Sequence, residues 1–190
     1  MPRKIESVPT VIYQIKVTLK DSKPPIWRRI QVRGDVTLAQ FHTILQLVMG
    51  WGDYHLHAFR LGGMEYGQPE PELRMRSDKS VKLNQLIPGE KFKFQYEYDF
   101  GDSWEHTLEV EKVLPAEPGV HTPSCLAGKR ACPPEDVGGV WGYIEFLEAI
   151  RDPEHPEHEE QLEWAGGEFD PEAIDLDEVN RELAKIQQTR

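Results

Sequence analysis

Val11, Tyr13, Ile15, Val17 and Leu19 alternate with Gln14, Lys16, Thr18 and Lys20, a period of two that predicts a half-buried strand. Ile26, Arg28, Ile30 and Val32 repeat the pattern after the connection over 20–25, where Pro24 and Pro25 cannot donate to a ladder. The two runs predict a β-hairpin with Arg28 on its apolar face. Thr37 followed by Gln40 reads as a capping box, and Leu38, Phe41, Ile44, Leu45, Val48 and Trp51 then fall at helical spacing. The expected helix runs from about 38 to 49 and stops near Gly50 and Gly52. A strand over 54–61, a Pro- and Glu-rich loop to about 77 and a short helix over 81–87 follow, with Gly62-Gly63 and Pro88-Gly89 as breakers.

The strongest alternation is Phe92, Phe94, Tyr96, Tyr98 and Phe100 against Lys91, Lys93, Gln95, Glu97 and Asp99; Trp104, His106, Leu108 and Val110 continue it after Gly101-Asp102-Ser103. Keeping both apolar rows on one face requires paired positions of even sum, so a three-residue loop over 101–103 is expected, pairing 98 with 106 and 100 with 104. That register sets Lys93 opposite Glu111 and Asp99 opposite Glu105, with Asp102 at the tip, so three carboxylates converge and call for a cation. Residues 115–142 read as a long irregular connection, a class of loop that is often functional. Helices are expected over about 142–150, about 156–164 and from about 176, where Leu176, Val179, Leu183 and Ile186 form one stripe. The pattern predicts a single α+β domain over 11–186, an antiparallel sheet covered by the 38–49 helix and the C-terminal helices, with flexible termini at 1–10 and 187–190.

Composition supports a folded chain: of 190 residues, 38% are hydrophobic and 29% charged. The net charge of −11 is uneven. Residues 1–33 hold eight Lys or Arg against two acids, whereas 144–190 hold four against fifteen. Docking of the basic hairpin on the acidic C-terminal segment accounts for this asymmetry without a ligand, and an acidic whole disfavours nucleic acid as a partner. No run approaches the roughly 18 apolar residues that cross a bilayer, and Met1-Pro2-Arg3-Lys4-Ile5-Glu6 opens no signal-peptide core. The expectation is a cytoplasmic chain without a membrane partner, its Cys125 and Cys132 reduced.

Asp99, Asp102 and Glu105, joined by Glu135 and Asp136 from the long loop, could hold Mg²⁺ or Ca²⁺ through oxygen ligands. The favoured alternative pairs these acids with Arg28, which is costly to bury alone. Cys125 and Cys132, with six residues between them, are the candidates for zinc, with His106 or His121 to complete the site in the fold, although two ordinary thiols suit that spacing better. His55 and His57 share a strand face; packing is the expected role, chelation the alternative. His57-Ala58-Phe59-Arg60 matches the His-x-x-Arg of tyrosine recombinases, but on a strand its ends face opposite ways. His155-Pro156-Glu157-His158-Glu159 fits no metalloprotease motif. No cofactor is expected, and a divalent metal is the alternative.

Pro24-Pro25-Ile26-Trp27-Arg28-Arg29-Ile30, His55-Leu56-His57-Ala58-Phe59, Tyr98-Asp99-Phe100-Gly101-Asp102-Ser103-Trp104-Glu105-His106 and the 125–143 segment with Cys132-Pro133-Pro134-Glu135-Asp136 resemble the plasmid pRiA4b ORF-3-like family. The resemblance spans roughly 11–186 and implies an α+β fold linked to plasmids and mobile elements. Many members carry a further Cys where this chain has Val137, which weakens a three-thiolate site. A resolvase label borne by some members does not fit, because an activated Ser among arginines and a basic DNA-binding segment are missing. With no nucleophile–base pair or phosphate loop, the expected function is a non-enzymatic binding or accessory module with a protein or small-molecule partner. The alternatives are a metal-dependent hydrolase or nuclease using the carboxylates and a nucleic-acid-binding accessory protein.

Overall fold

The computed structural model describes residues 11–69, 74–117 and 122–187. Strands β1 (Val11–Leu19), β2 (Trp27–Arg33), β3 (His57–Leu61), β4 (Met64–Gly67), β5 (Arg76–Ser77), β6 (Lys93–Tyr98), β7 (Trp104–Pro115) and β8 (Ser124–Lys129) form one sheet in the order β5-β4-β3-β6-β7-β1-β2-β8. Every pairing is antiparallel except β4 with β5. Helices α1 (Leu38–Met49), α2 (Leu83–Leu86), α3 (Gly139–Arg151), α4 (His158–Trp164) and α5 (Leu176–Gln187) complete an α+β fold.

The capping box at α1 is present: Thr37 Oγ1 accepts from Gln40 N at 3.2 Å, and Gln40 Oε1 accepts from Thr37 N at 2.9 Å. The apolar stripe of α1 lands on the sheet where Phe41 stacks on Phe59 at 5.7 Å, and α5 packs against α1 and β8 with Leu183 fully buried. β4, β5 and β8 were not expected; they arise inside stretches that read as loops. β3 begins at His57, so His55 lies in the preceding loop and the two histidines do not share a strand.

The β6–β7 hairpin keeps the expected parity but not the register. Tyr98 pairs with Trp104, Tyr96 with His106, and Lys93 with Glu109 instead of Glu111. Glu97, not Asp99, lies opposite Glu105, and the turn is five residues, Asp99 to Ser103, closed by Ser103 N donating to Asp99 O at 2.6 Å. Asp99 and Ser103 take φ of +57° and +56°, left-handed conformations that a short polar residue tolerates better than an aromatic one. Phe100 leaves the aromatic row and is exposed.

Cations of the first hairpin meet the acids of β7 on the open face of the sheet. Lys20 reaches Glu105 at 2.5 Å, and Arg29 holds Glu111 through two bonds at 2.6 and 2.8 Å. Docking of the basic hairpin on the acidic C-terminal segment is therefore corrected: the hairpin's neutralising acids come from its neighbour in the sheet.

Candidate functional site

Three connections meet at one end of the sheet: residues 50–56 after α1, the hairpin tip 99–103, and the 130–138 approach to α3. Gly50, left-handed at φ +90°, ends α1 by donating to Gln46 O, and Trp51 then anchors the long loop by donating from Nε1 to Pro133 O at 3.0 Å. Glu135 ties all three segments together. Its carboxylate accepts from Tyr98 Oη at 2.6 Å and from Gly52 N at 2.9 Å, while Tyr98 Oη accepts from Tyr54 N at 3.0 Å. Burial, with the Glu135 bond, pushes the Tyr98 hydroxyl pKa up, so it remains a donor. Asp102 fastens the tip to the start of α3, its Oδ2 accepting from Gly138 N at 3.1 Å. At Gly139, φ is +69° and a Cβ would lie 2.5 Å from Asp102 O, so the close approach requires glycine.

His55 Nε2 lies 3.2 Å from Asp136 Oδ1 and 3.7 Å from Asp99 Oδ2. Among the described residues these three side chains are one group whose donor atoms all fall within 4.8 Å of one another. His55 Nε2 is sealed from solvent and, among the described residues, has no hydrogen-bond partner. Asp99 is oriented by its other oxygen, Oδ1, which accepts from Gly101 N at 2.9 Å.

Beside His55 opens a cleft of about 390 Å³ lined by His42, Asp53, Tyr54, His57, Asp78 and Lys79 among others. The imidazoles of His42 and His57 stack on its floor, 3.5 Å apart and 9° from parallel. His42 Nε2 meets Asp53 Oδ1 at 2.7 Å, His42 Nδ1 meets Tyr96 Oη at 2.8 Å, and His57 Nε2 meets Asp78 Oδ2 at 2.8 Å. Burial lowers the pKa of both rings, and for His57 the neighbouring His42 lowers it further, so the stack is neutral at neutral pH.

The other sequence candidates disperse. Glu105 faces Lys20 across the open face, and Asp102 serves α3, so the expected convergence of Asp99, Asp102 and Glu105 does not occur. Arg28 takes no carboxylate; its guanidinium donates to Val48 O at 2.8 Å, Trp27 O at 2.9 Å and Lys129 O at 3.1 Å. His106 is buried against Trp51 and Tyr96, and with Cys125 and Cys132 it enters no donor cluster among the described residues. Both cysteines are free thiols, and burial raises the pKa of each; His121 lies outside the described residues. His57 and Arg60 point apart, toward Asp78 and toward Glu97 and Glu65. Of the cleft residues, His42 left one trace in the sequence, a polar residue within the apolar stripe of α1, and Asp78 left none.

The surroundings are aromatic and acidic. Trp141 in the first turn of α3 is 80% exposed and Tyr54 is 82% exposed; Phe100 and Ile144 are partly exposed. Residues 139–164 carry eight acids against the single Arg151.

The family model described as plasmid pRiA4b ORF-3-like protein matches residues 11–178. The uncharacterized protein y4hQ of Sinorhizobium fredii is 39% identical over 174 residues, 90% of this chain and 89% of its own length. The crystal structure of a protein of unknown function, MM3350 of Methanosarcina mazei Go1, superposes with a TM-score of 0.81 at 42% identity, covering 90% of this chain and 99% of that one.

Proposed function

The chain belongs to the plasmid pRiA4b ORF-3-like family, and on that premise we propose that it works by binding, as an accessory module that grips a cationic, apolar-faced polypeptide at its hairpin-tip end. One observation carries the reading: Trp141, 80% exposed, stands in the first turn of α3 on its solvent face, with Glu145 and Glu148 following along that face. Isolated exposed apolar residues are ordinary, but tryptophan is the residue most enriched among the side chains that dominate interface energies. Phe100, on the tip that holds the start of α3, and Ile144, one turn on, are further exposed apolar side chains at this end. The surrounding carboxylates select a basic partner and speed its encounter. The two free thiols support an intracellular setting, and the family's description supports a setting in which plasmids are carried.

The test uses an 18-residue amphipathic helix of Leu and Lys and an equally charged peptide with Ser in place of Leu. Binding followed by the indole resonances should move Trp141, Trp141→Ser should weaken affinity at least tenfold, and the Ser peptide should bind at least tenfold more weakly. An unmoved Trp141 resonance, or equal affinity for both peptides, rejects the reading. Metal-dependent hydrolysis is the second reading, favoured by the donor set of His55, Asp99 and Asp136.

A further inference from the structure

We infer that His55 Nε2, Asp99 Oδ2 and Asp136 Oδ1 form a binding site for a divalent transition-metal ion. An ion held tetrahedrally at about 2.0–2.2 Å sets its donor atoms roughly 3.4 Å apart. The two separations from His55 Nε2, 3.2 and 3.7 Å, bracket that spacing. They also fit poorly with the obvious alternative. A protonated imidazole shared between two aspartates would donate from Nε2 to one of them, yet among the described residues this nitrogen makes no hydrogen bond although it is shut off from water. A buried, unpaired imidazole nitrogen is costly, and an ion between it and the carboxylates removes that cost.

The donor set also selects the ion. Mg²⁺ and Ca²⁺ prefer all-oxygen shells, whereas one imidazole with two carboxylates suits Zn²⁺, Mn²⁺ or Fe²⁺. The ligands come from three different segments, and each is braced. Asp99 is fixed by Gly101 N, and the loop carrying Asp136 is pinned by the neighbouring Glu135 to Tyr98 and Gly52. The His55 ring packs edge-on against Tyr98 at 5.8 Å. Such supporting contacts hold ligands in the productive orientation. Asp136 is 70% exposed, which leaves a path for the ion and a coordination position open to solvent. Three protein ligands with an open position is the pattern of a catalytic rather than a structural zinc site, which is what the hydrolytic reading requires.

The site stands independently of the docking surface on α3, and the two fail separately: the peptide test is run in chelator, and the metal test needs no peptide. Full-length chain stripped with EDTA and desalted is titrated calorimetrically with Zn²⁺, Mn²⁺ and Mg²⁺. The expected result is one Zn²⁺ or Mn²⁺ per chain, with Mg²⁺ at least tenfold weaker. Asp99→Asn and Asp136→Asn should each cost at least tenfold in affinity; Asp136 is on an exposed loop, so its variant should fold even if the other does not. Mn²⁺ should broaden the His55 imidazole resonances first. His158→Gln and Cys132→Ser should bind as the wild type does. No binding at 1 mM ion, or undiminished binding in Asp136→Asn, overturns the site.

Discussion

Arg28 shows what a buried charge does when, among the described residues, it pairs with backbone carbonyls and no carboxylate. It lies on the apolar face of β2, 3% exposed, and burial lowers its pKa. Its Nε donates to Val48 O, a carbonyl of the last turn of α1 that has no partner within the helix and sits at the negative end of the helix dipole. Its place on the apolar face was legible in the alternation of 26–32; its partners were not, because backbone carbonyls leave no mark in sequence. His106 is the converse case. Its ring is buried, and that burial holds its pKa down to about 4. The unfolded chain takes up this proton near pH 6.5 and the folded chain does not until about 4, so the stability His106 supplies is full above 6.5 and is lost as pH falls toward 4. The slope is up to about 1.4 kcal/mol per pH unit. His106→Leu should flatten the acid side of the stability curve by about that amount and hold or raise stability at pH 5. Urea midpoints at pH 7.5, 6 and 5 measure this; an unchanged slope would contradict the assignment.

At the level of elements, parity arithmetic on β6 and β7 identified the faces but could not choose between turns differing by two residues, since both keep aromatic rows together. The choice is made by contacts outside the hairpin. Asp99 N donates to Leu56 O, and the like-charged pair Glu97 and Glu105 is relieved by Arg60 on one side and Lys20 on the other. The same reason kept His55 apart from the acids in the sequence reading, which did group Asp99 with Asp136: the three sit in separate loops whose meeting depends on tertiary packing. β8 was missed because Ser124–Lys129 has no alternation; it is an edge strand whose bare side is covered by a side chain of α5. Asn180 there acts as a surrogate strand, its Oδ1 accepting from Cys125 N at 2.8 Å and its Nδ2 donating to Cys125 O at 2.9 Å. Asn180→Leu keeps the branched shape and heavy-atom count but leaves both groups unpaired, so it should cost about 2 kcal/mol. It should also raise amide exchange in β8 before β1. Uniform exchange across both strands would show that Asn180 does not guard the edge.

For the whole molecule, the contrast between a basic beginning and an acidic end was plain in the sequence, but its structural meaning was not. A charge sum cannot say which acid meets which base. In the fold, the cations of the first hairpin are held in a ladder on the open face: Lys20 with Glu105, Arg29 with Glu111 and Gln14 alongside, Arg33 with Asp35. Lys16 and Arg29 also lie over the Trp27 ring, each at 5.3 Å. DNA binding without base readout draws its free energy from cations that displace counterions from phosphates. A cation already held by a carboxylate must first give up that partner, and the remainder of a −11 chain repels the duplex. Full-length protein should therefore bind duplex DNA at 0.15 M salt no more tightly than ~10⁻⁶ M, with a shallow dependence on salt. Glu111→Gln, which frees Arg29, should tighten binding, and Arg29→Gln should not weaken it. Fluorescence anisotropy with a labelled duplex decides the matter. Submicromolar binding with a steep salt slope, lost in Arg29→Gln, would make the open face a nucleic-acid surface and overturn the assignment of its charges to the ladder.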